Sequence, residues 1–203
     1  MKQERTGSSV MDFRIYNNLE NAGNFLLTRT PGIAVFDLDY TLKSNYLKLL
    51  ICLEFGKIPL DSVTLLQDMQ KKGWVIAVVT NQPKSGHQIA SVLGNIKNYP
   101  YFPKAIEDII GKENIFGGGL DFISNHNKKT QRATVEVSNF ILRNHRNITG
   151  GICVVGDKIE DYDFAERVNE TLNINGLSID TFIKLPDPVY LDYMPAIFAK
   201  LIP

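Results

Sequence analysis

The sequence predicts an α/β protein in which a mainly parallel sheet lies between two layers of helices. Two observations carry that expectation. Continuous apolar runs alternate with amphipathic stretches along the chain, as strands covered on both faces do when helical crossovers join them. Three of the four strongest runs also give directly onto a polar cluster, and in an open parallel sheet the C-terminal strand ends share one ligand-binding edge.

In chain order, about the first 20 residues read as a peripheral or flexible extension of a single domain spanning 1–203. The first strand is expected at Ile33-Ala34-Val35-Phe36. From Asp61 to Lys72 an acidic start, apolar Val63, Leu66 and Met69 at helical spacing and a stop at Gly73 predict a helix. Trp74 to Val79 is the second strand. Helices are expected at Ser85–Leu93 and at Pro103–Ile110, the latter closed by Gly111. A weaker strand at Leu120–Ile123 follows the pliable Gly117-Gly118-Gly119. A long helix from Thr130 to Arg146, a strand at Ile152–Val155, a helix after Asp157 and a short strand at Thr181–Ile183 complete the pattern. No internal repeat or low-complexity linker divides it.

Of the 203 residues 44% are apolar, enough for one proper core. Lys plus Arg and Asp plus Glu number 22 each, so no overall field draws the chain to nucleic acid or membrane, and any basic surface must be local. Cys52 and Cys153 sit in separate apolar runs, as buried thiols of a reducing compartment do, and two cysteines exclude a cysteine-rich zinc site. The N-terminus lacks an apolar signal region and no segment approaches the ~20 apolar residues of a membrane span. The expected location is intracellular, cytoplasmic or nuclear, with no membrane partner.

The polar clusters at the strand ends are Asp37-Leu38-Asp39-Tyr40-Thr41, Thr80-Asn81-Gln82 and Gly156-Asp157-Lys158-Ile159-Glu160-Asp161. Asp37 and Asp39 are two apart, one on the strand and one in the turn beyond, which suits divided labour. One carboxylate attacks phosphorus to give an aspartyl-phosphate, and the other protonates the leaving oxygen and then activates water. A carboxylate and a phosphate at ~4 Å repel by roughly 4 kcal/mol per charge pair at an effective dielectric near 20, so cations must offset them. Asp157 can join Asp37 in an oxygen-rich magnesium site with Asp161 in support. Lys128 and Lys129, at the start of the long helix, supply further positive charge, and the Thr80 hydroxyl with neighbouring backbone N–H groups can hold phosphate oxygens. Taken singly, each cluster is ordinary turn or cap chemistry. Their order and their shared sheet edge make the joint reading the better one. His87, His126 and His145 lack a metal-like spacing.

In order and spacing these residues resemble the four motifs of the haloacid dehalogenase (HAD) superfamily, over about residues 33–163. The resemblance implies a Rossmann-like sheet and a magnesium-dependent phosphatase. Asp37 would be the nucleophile, Asp39 the acid/base, Thr80 with Asn81 the phosphate ligands, and Lys128 or Lys129 the positive clamp. Asp37, Asp39 and Asp157 would hold magnesium, supported by Thr41 and Asp161. An aspartate at position 39 favours phosphoryl transfer over dehalogenation.

Superfamily cap domains fall between these motifs, and the intervals Asp39–Thr80 and Thr80–Lys128 leave little room for one, so an open site for a large substrate is expected. Thr80-Asn81-Gln82 after Lys71-Lys72-Gly73-Trp74 resembles the branch holding polynucleotide 3'-phosphatases, histidinol-phosphate phosphatases and heptose-bisphosphate phosphatases. The zinc loop of the last two is missing, which favours the polynucleotide 3'-phosphatase type. Phe25–Arg29 resembles the antiparallel lead-in of those enzymes, Lys128–Ala133 their basic segment with Lys129 preferred as the clamp, and Asp163-Phe164-Ala165 with Asn169 the segment after motif four. Lys84, Lys128, Lys129 and Arg132 would border the crevice and meet the phosphates of DNA or RNA ends. Tyr40 replaces the commoner glycine. No Gly-x-x-x-x-Gly-Lys-Ser/Thr string is present, so the kinase half of bifunctional relatives is missing. The rival readings are a phosphatase of a small sugar or nucleotide and a phosphate-binding scaffold without turnover.

Overall fold

A computed structural model describes residues 11–38, 41–42, 60–80, 104–117 and 131–186. Among them are six strands: β1 (Asp12–Ile15), β2 (Ile33–Asp37), β3 (Val75–Thr80), β4 (Ile115–Gly117), β5 (Ile152–Gly156) and β6 (Thr181–Lys184). The helices are α1 (Leu19–Thr28), α2 (Leu60–Lys71), α3 (Lys104–Ile110), α4 (Gln131–Asn144) and α5 (Ile159–Asn173), with 3-10 turns at Lys112–Asn114 and His145–Asn147. The strands form one sheet in the order β1-β6-β5-β2-β3-β4, and every pairing is parallel.

Strand alternation splits the sheet residues between two cores. Phe36, Val78, Val155 and Ile183 pack with Leu26 of α1, Leu66 and Met69 of α2 and Ile106 of α3. Ile33, Val35, Val79, Val154 and Phe182 pack on the other face with Val137 and Phe140 of α4 and Phe164 and Val168 of α5. The result is the expected helix–sheet–helix sandwich, and the central strands are continuous apolar runs because both their faces are covered. Each fully buried Phe, Ile, Leu or Val contributes roughly 1.5–3 kcal/mol.

Helix ends follow local chemistry. The Asn18 side chain accepts the Asn21 N–H at 2.8 Å and so starts α1. Helix α2 stops at Gly73, whose φ of 92° suits glycine. There the Gly73 N–H bonds the Gln70 carbonyl at 2.9 Å, the Trp74 N–H bonds the Met69 carbonyl at 3.0 Å, and buried Trp74 and Met69 share a core, a complete Schellman ending.

Several boundaries differ from expectation. Part of the supposed N-terminal extension is sheet, since Asp12–Ile15 pairs with Thr181–Lys184. All four of its residues are exposed, and such an edge strand, alternating Asp, Phe, Arg and Ile, lacks the apolar run that marks a covered one. Phe25–Thr28 are not an antiparallel lead-in. They close α1, because Ala22 and Leu26, four apart, bury one helical face. On α2 the buried positions are Ser62, Leu65, Leu66 and Met69, with Val63 only half-buried. The short β4 was not foreseen, three residues being too few for a periodicity signal. The expected helix at Ser85–Leu93 and strand at Leu120–Ile123 lie outside the described residues.

Cys153 is a free, fully buried thiol on β5, as expected, while Cys52 lies outside the described residues. Burial pushes the Cys153 thiol up to about 11, against the pull of the Arg29 guanidinium. No helix among the described residues is long and apolar enough to cross a membrane.

Candidate functional site

The strand order reverses beside β2. From β2 the sheet grows through β3 to β4, then the chain returns to lay β5 against the other side of β2 and continues to β6. Right-handed crossovers then place helices on opposite faces, and the strand ends open into a crevice at the reversal. Asp37 is the last residue of β2, and Asp157 follows the last residue of β5. These two neighbouring strands, paired from Ile33 with Ile152 to Phe36 with Val155, bring both carboxylates to the switch point.

Asp161 completes a cluster with them. One carboxylate oxygen from each of Asp37, Asp157 and Asp161 lies within 4.8 Å of the other two. Asp157 is 0% and Asp161 3% exposed, whereas Asp37 is half-buried. Burying acids so close together is costly unless charge or hydrogen bonds offset it.

Local folding supplies part of that offset. Oδ2 of Asp161 accepts the backbone N–H groups of Asp157 and Lys158, both at 3.0 Å. Lys158 is the N-cap of α5 and Asp161 its third helical residue, so the carboxylate closes the helix start from inside, and the positive end of the helix faces the cluster. Gly156 makes room, because a Cβ there would overlap the Asp161 side chain. From the β2 side, the buried Thr41 hydroxyl donates to Oδ1 of Asp157 at 3.4 Å. The Leu42 N–H bonds the Leu38 carbonyl at 3.1 Å and closes the turn that carries Thr41. Lys184, at the end of β6, donates through Nζ to the main-chain carbonyl of Asp157.

The cluster thus unites Asp37, Thr41, Asp157 and Asp161. Asp161, expected as support, stands within ligand distance as well as holding the turn. Thr80 ends β3 one residue beyond Val79, the register partner of Asp37, and is 1% exposed. Strand alternation sets Thr80 on the face of Ile76 and Val78, opposite that of Asp37. Asp39, Asn81, Lys84, Lys128 and Lys129 lie outside the described residues, as do the intervals 43–59 and 81–103 that bear on a cap. Arg132 pairs with Glu136 at 2.9 Å along α4. Of the segment expected after motif four, Phe164 and Ala165 are core and the Asn169 side chain accepts the Ile179 N–H at 2.7 Å. Those matches serve packing. His145 contacts the Leu142 carbonyl at 2.8 Å through Nδ1, away from the acids. Lys184 was overlooked. Its signal was a lysine ending the apolar run Thr181–Ile183, the same strand-end pattern that marked Asp37 and Asp157.

The donor set fits a small, hard divalent cation. Magnesium takes oxygen ligands at about 2.1 Å, which separates neighbouring ligands by about 3 Å and opposite ones by about 4.2 Å. Three carboxylate oxygens within 4.8 Å can close to that spacing directly or through one water. Among the described residues no histidine or cysteine joins the cluster to favour a softer metal.

No protein-family model matches the sequence. No curated protein and no solved structure matches the chain either.

Proposed function

We propose that the chain is a magnesium-dependent phosphomonoester hydrolase that works through an aspartyl-phosphate on Asp37. The observation that carries this reading is the meeting of Asp37 with buried Asp157 and Asp161 at the strand reversal. A pair of buried carboxylates beside a more accessible one is a poor anion site by itself and a good one once a cation is held. Bound there by Asp37, Asp157 and Asp161, magnesium would supply charge neutralisation and orientation for the phosphoryl group.

The chain's own residues would divide the rest. An oxygen of Asp37 forms a bond to phosphorus while the bond to the leaving alkoxide breaks, and the alkoxide takes a proton from Asp39. A water then gives its proton back to Asp39 and attacks the same phosphorus, releasing inorganic phosphate and the Asp37 carboxylate. Asn81, Lys128 or Lys129 and the main chain at the end of β3 are the proposed phosphate contacts, since the buried Thr80 side chain lies on the sheet face opposite Asp37. The substrate we propose is large, a nucleic-acid 3'-phosphate end, on the motif resemblance set out above.

The test is phosphate release from an aryl phosphate with magnesium, with EDTA and in Asp37→Asn. Activity that needs magnesium and falls by about 10³-fold or more in the variant is expected. Retained turnover in Asp37→Asn would remove the nucleophile assignment. A panel of 3'-phosphorylated oligonucleotides, sugar phosphates and nucleotides then decides the substrate, and turnover of metabolites alone would overturn the nucleic-acid proposal.

A further inference from the structure

Asp157 is held at three of its four polar atoms, each by a different part of the sheet edge. Its N–H goes to the Asp161 carboxylate on α5, and one carboxylate oxygen takes the Thr41 hydroxyl of the turn after β2. Its carbonyl takes the ammonium of Lys184 on β6. Lys184 is the register partner of Gly156, so its side chain starts level with the residue before Asp157. The same ammonium donates to the Leu185 carbonyl at 2.8 Å, and the Leu185 N–H returns to the Gly156 carbonyl at 2.8 Å. The end of β6 and the turn after β5 are thereby tied through both side chain and main chain.

We infer that Lys184 is a positioning residue for the metal site, an assignment that rests on the function proposed above. An ammonium set half-buried beside the positive end of α5 is an unfavourable placement taken alone. The two carbonyl bonds compensate it and give it a fixed geometry. With the main chain of Asp157 held at both N–H and carbonyl, its carboxylate keeps only side-chain torsions. A preorganised ligand of this kind binds its cation without first ordering the turn.

Position and charge predict opposite signs. Loss of a nearby positive charge alone would strengthen cation binding, whereas loss of the hold on Asp157 weakens it. Lys184→Met keeps much of the side-chain length but removes both charge and donors, and Lys184→Arg keeps both. Manganese binding to the full chain, followed by electron paramagnetic resonance without substrate, should weaken about tenfold in Lys184→Met and stay within about threefold of wild type in Lys184→Arg. In turnover assays the half-saturating magnesium concentration should rise by the same factor, with kcat at saturating magnesium changed by less than about threefold. Unchanged or tighter manganese binding in Lys184→Met overturns the inference, and so does an equal loss in both variants. A wild-type chain that binds neither manganese nor magnesium overturns the proposed function itself, a result separable from failure of Lys184 alone.

Discussion

Asp37 and Asp157 leave adjacent parallel strands at one sheet edge, yet their surroundings differ. Asp37 ends a strand whose other four residues are buried, and is itself only half covered. Asp157 stands just past its strand, is fully buried, and is tied by Asp161, Thr41 and Lys184. The contrast separates two kinds of carboxylate work. A cation ligand gains from burial and fixed geometry, because reorganisation costs affinity. A group that must meet an incoming phosphorus atom needs an open approach. The pair therefore reads as one acid that holds and one that reacts, and substitutions at each corner break that distinction in different ways.

The largest effect is expected at the reacting acid. Asp37→Asn should abolish turnover, as stated above, while manganese binding persists through Asp157 and Asp161, weakened by about tenfold. Asp157→Asn should do the reverse to binding, weakening manganese by about 100-fold. It should also not lower the melting temperature in EDTA. Two unit charges within 4.8 Å of each other repel by roughly 3.5 kcal/mol or more at an effective dielectric near 20, and removing one relieves that strain in the metal-free protein. A marked loss of stability in EDTA would instead make Asp157 a structural acid and erase the comparison.

Asp161→Asn comes next, and in EDTA it should be the less stable of the two. Its Oδ2 serves two backbone N–H groups, and hydrogen bonds to an ionised acceptor contribute about 1.5–3 kcal/mol. An amide keeps one acceptor oxygen without the charge, and relief of the same repulsion offsets part of that loss, so in thermal unfolding Asp161→Asn should be about 1–2 kcal/mol less stable than Asp157→Asn, with weaker manganese binding as well. Equal melting of the Asp157 and Asp161 variants would show that the two buried acids share one role.

The same contrast explains what was legible in the sequence. Asp37 and Asp157 announced themselves because each follows a fully covered strand, and a covered strand is a continuous apolar run that ends abruptly where the sheet meets solvent. Asp161 was placed near the site by its position in the helix start, although its share in the cluster depends on how α5 packs against Gly156. Lys184 and β1 were missed for one reason: both belong to the β1–β6 side of the sheet, where a charged or exposed residue interrupts the apolar pattern. Lys184 does end the run Thr181–Ile183, but its tie to the turn of Asp157 shows only in the register with Gly156. The misreading of Phe25–Thr28 has a related cause, since Phe25-Leu26-Leu27-Thr28 suits a strand as well as a helix until Asn18 and Ala22 are counted with it.

The smallest effect tests a side-chain link between the two acid-bearing turns. Thr41 belongs to the turn after β2, and its hydroxyl reaches Oδ1 of Asp157 at 3.4 Å. That is long for an O–H to oxygen bond, whose usual length is about 2.7–2.8 Å, so it contributes little in the metal-free protein. Thr41→Val keeps the shape and removes the donor. Manganese affinity should fall by about two- to threefold, less than the ~1.5–3 kcal/mol of a well-formed bond to an ionised acceptor because this one is long, with kcat at saturating magnesium unaltered. A larger loss in kcat than in metal affinity would mean that Thr41 serves Asp37 and its phosphoryl group rather than Asp157. The boundary between the holding and the reacting acid would then pass through this turn, and not between the strands.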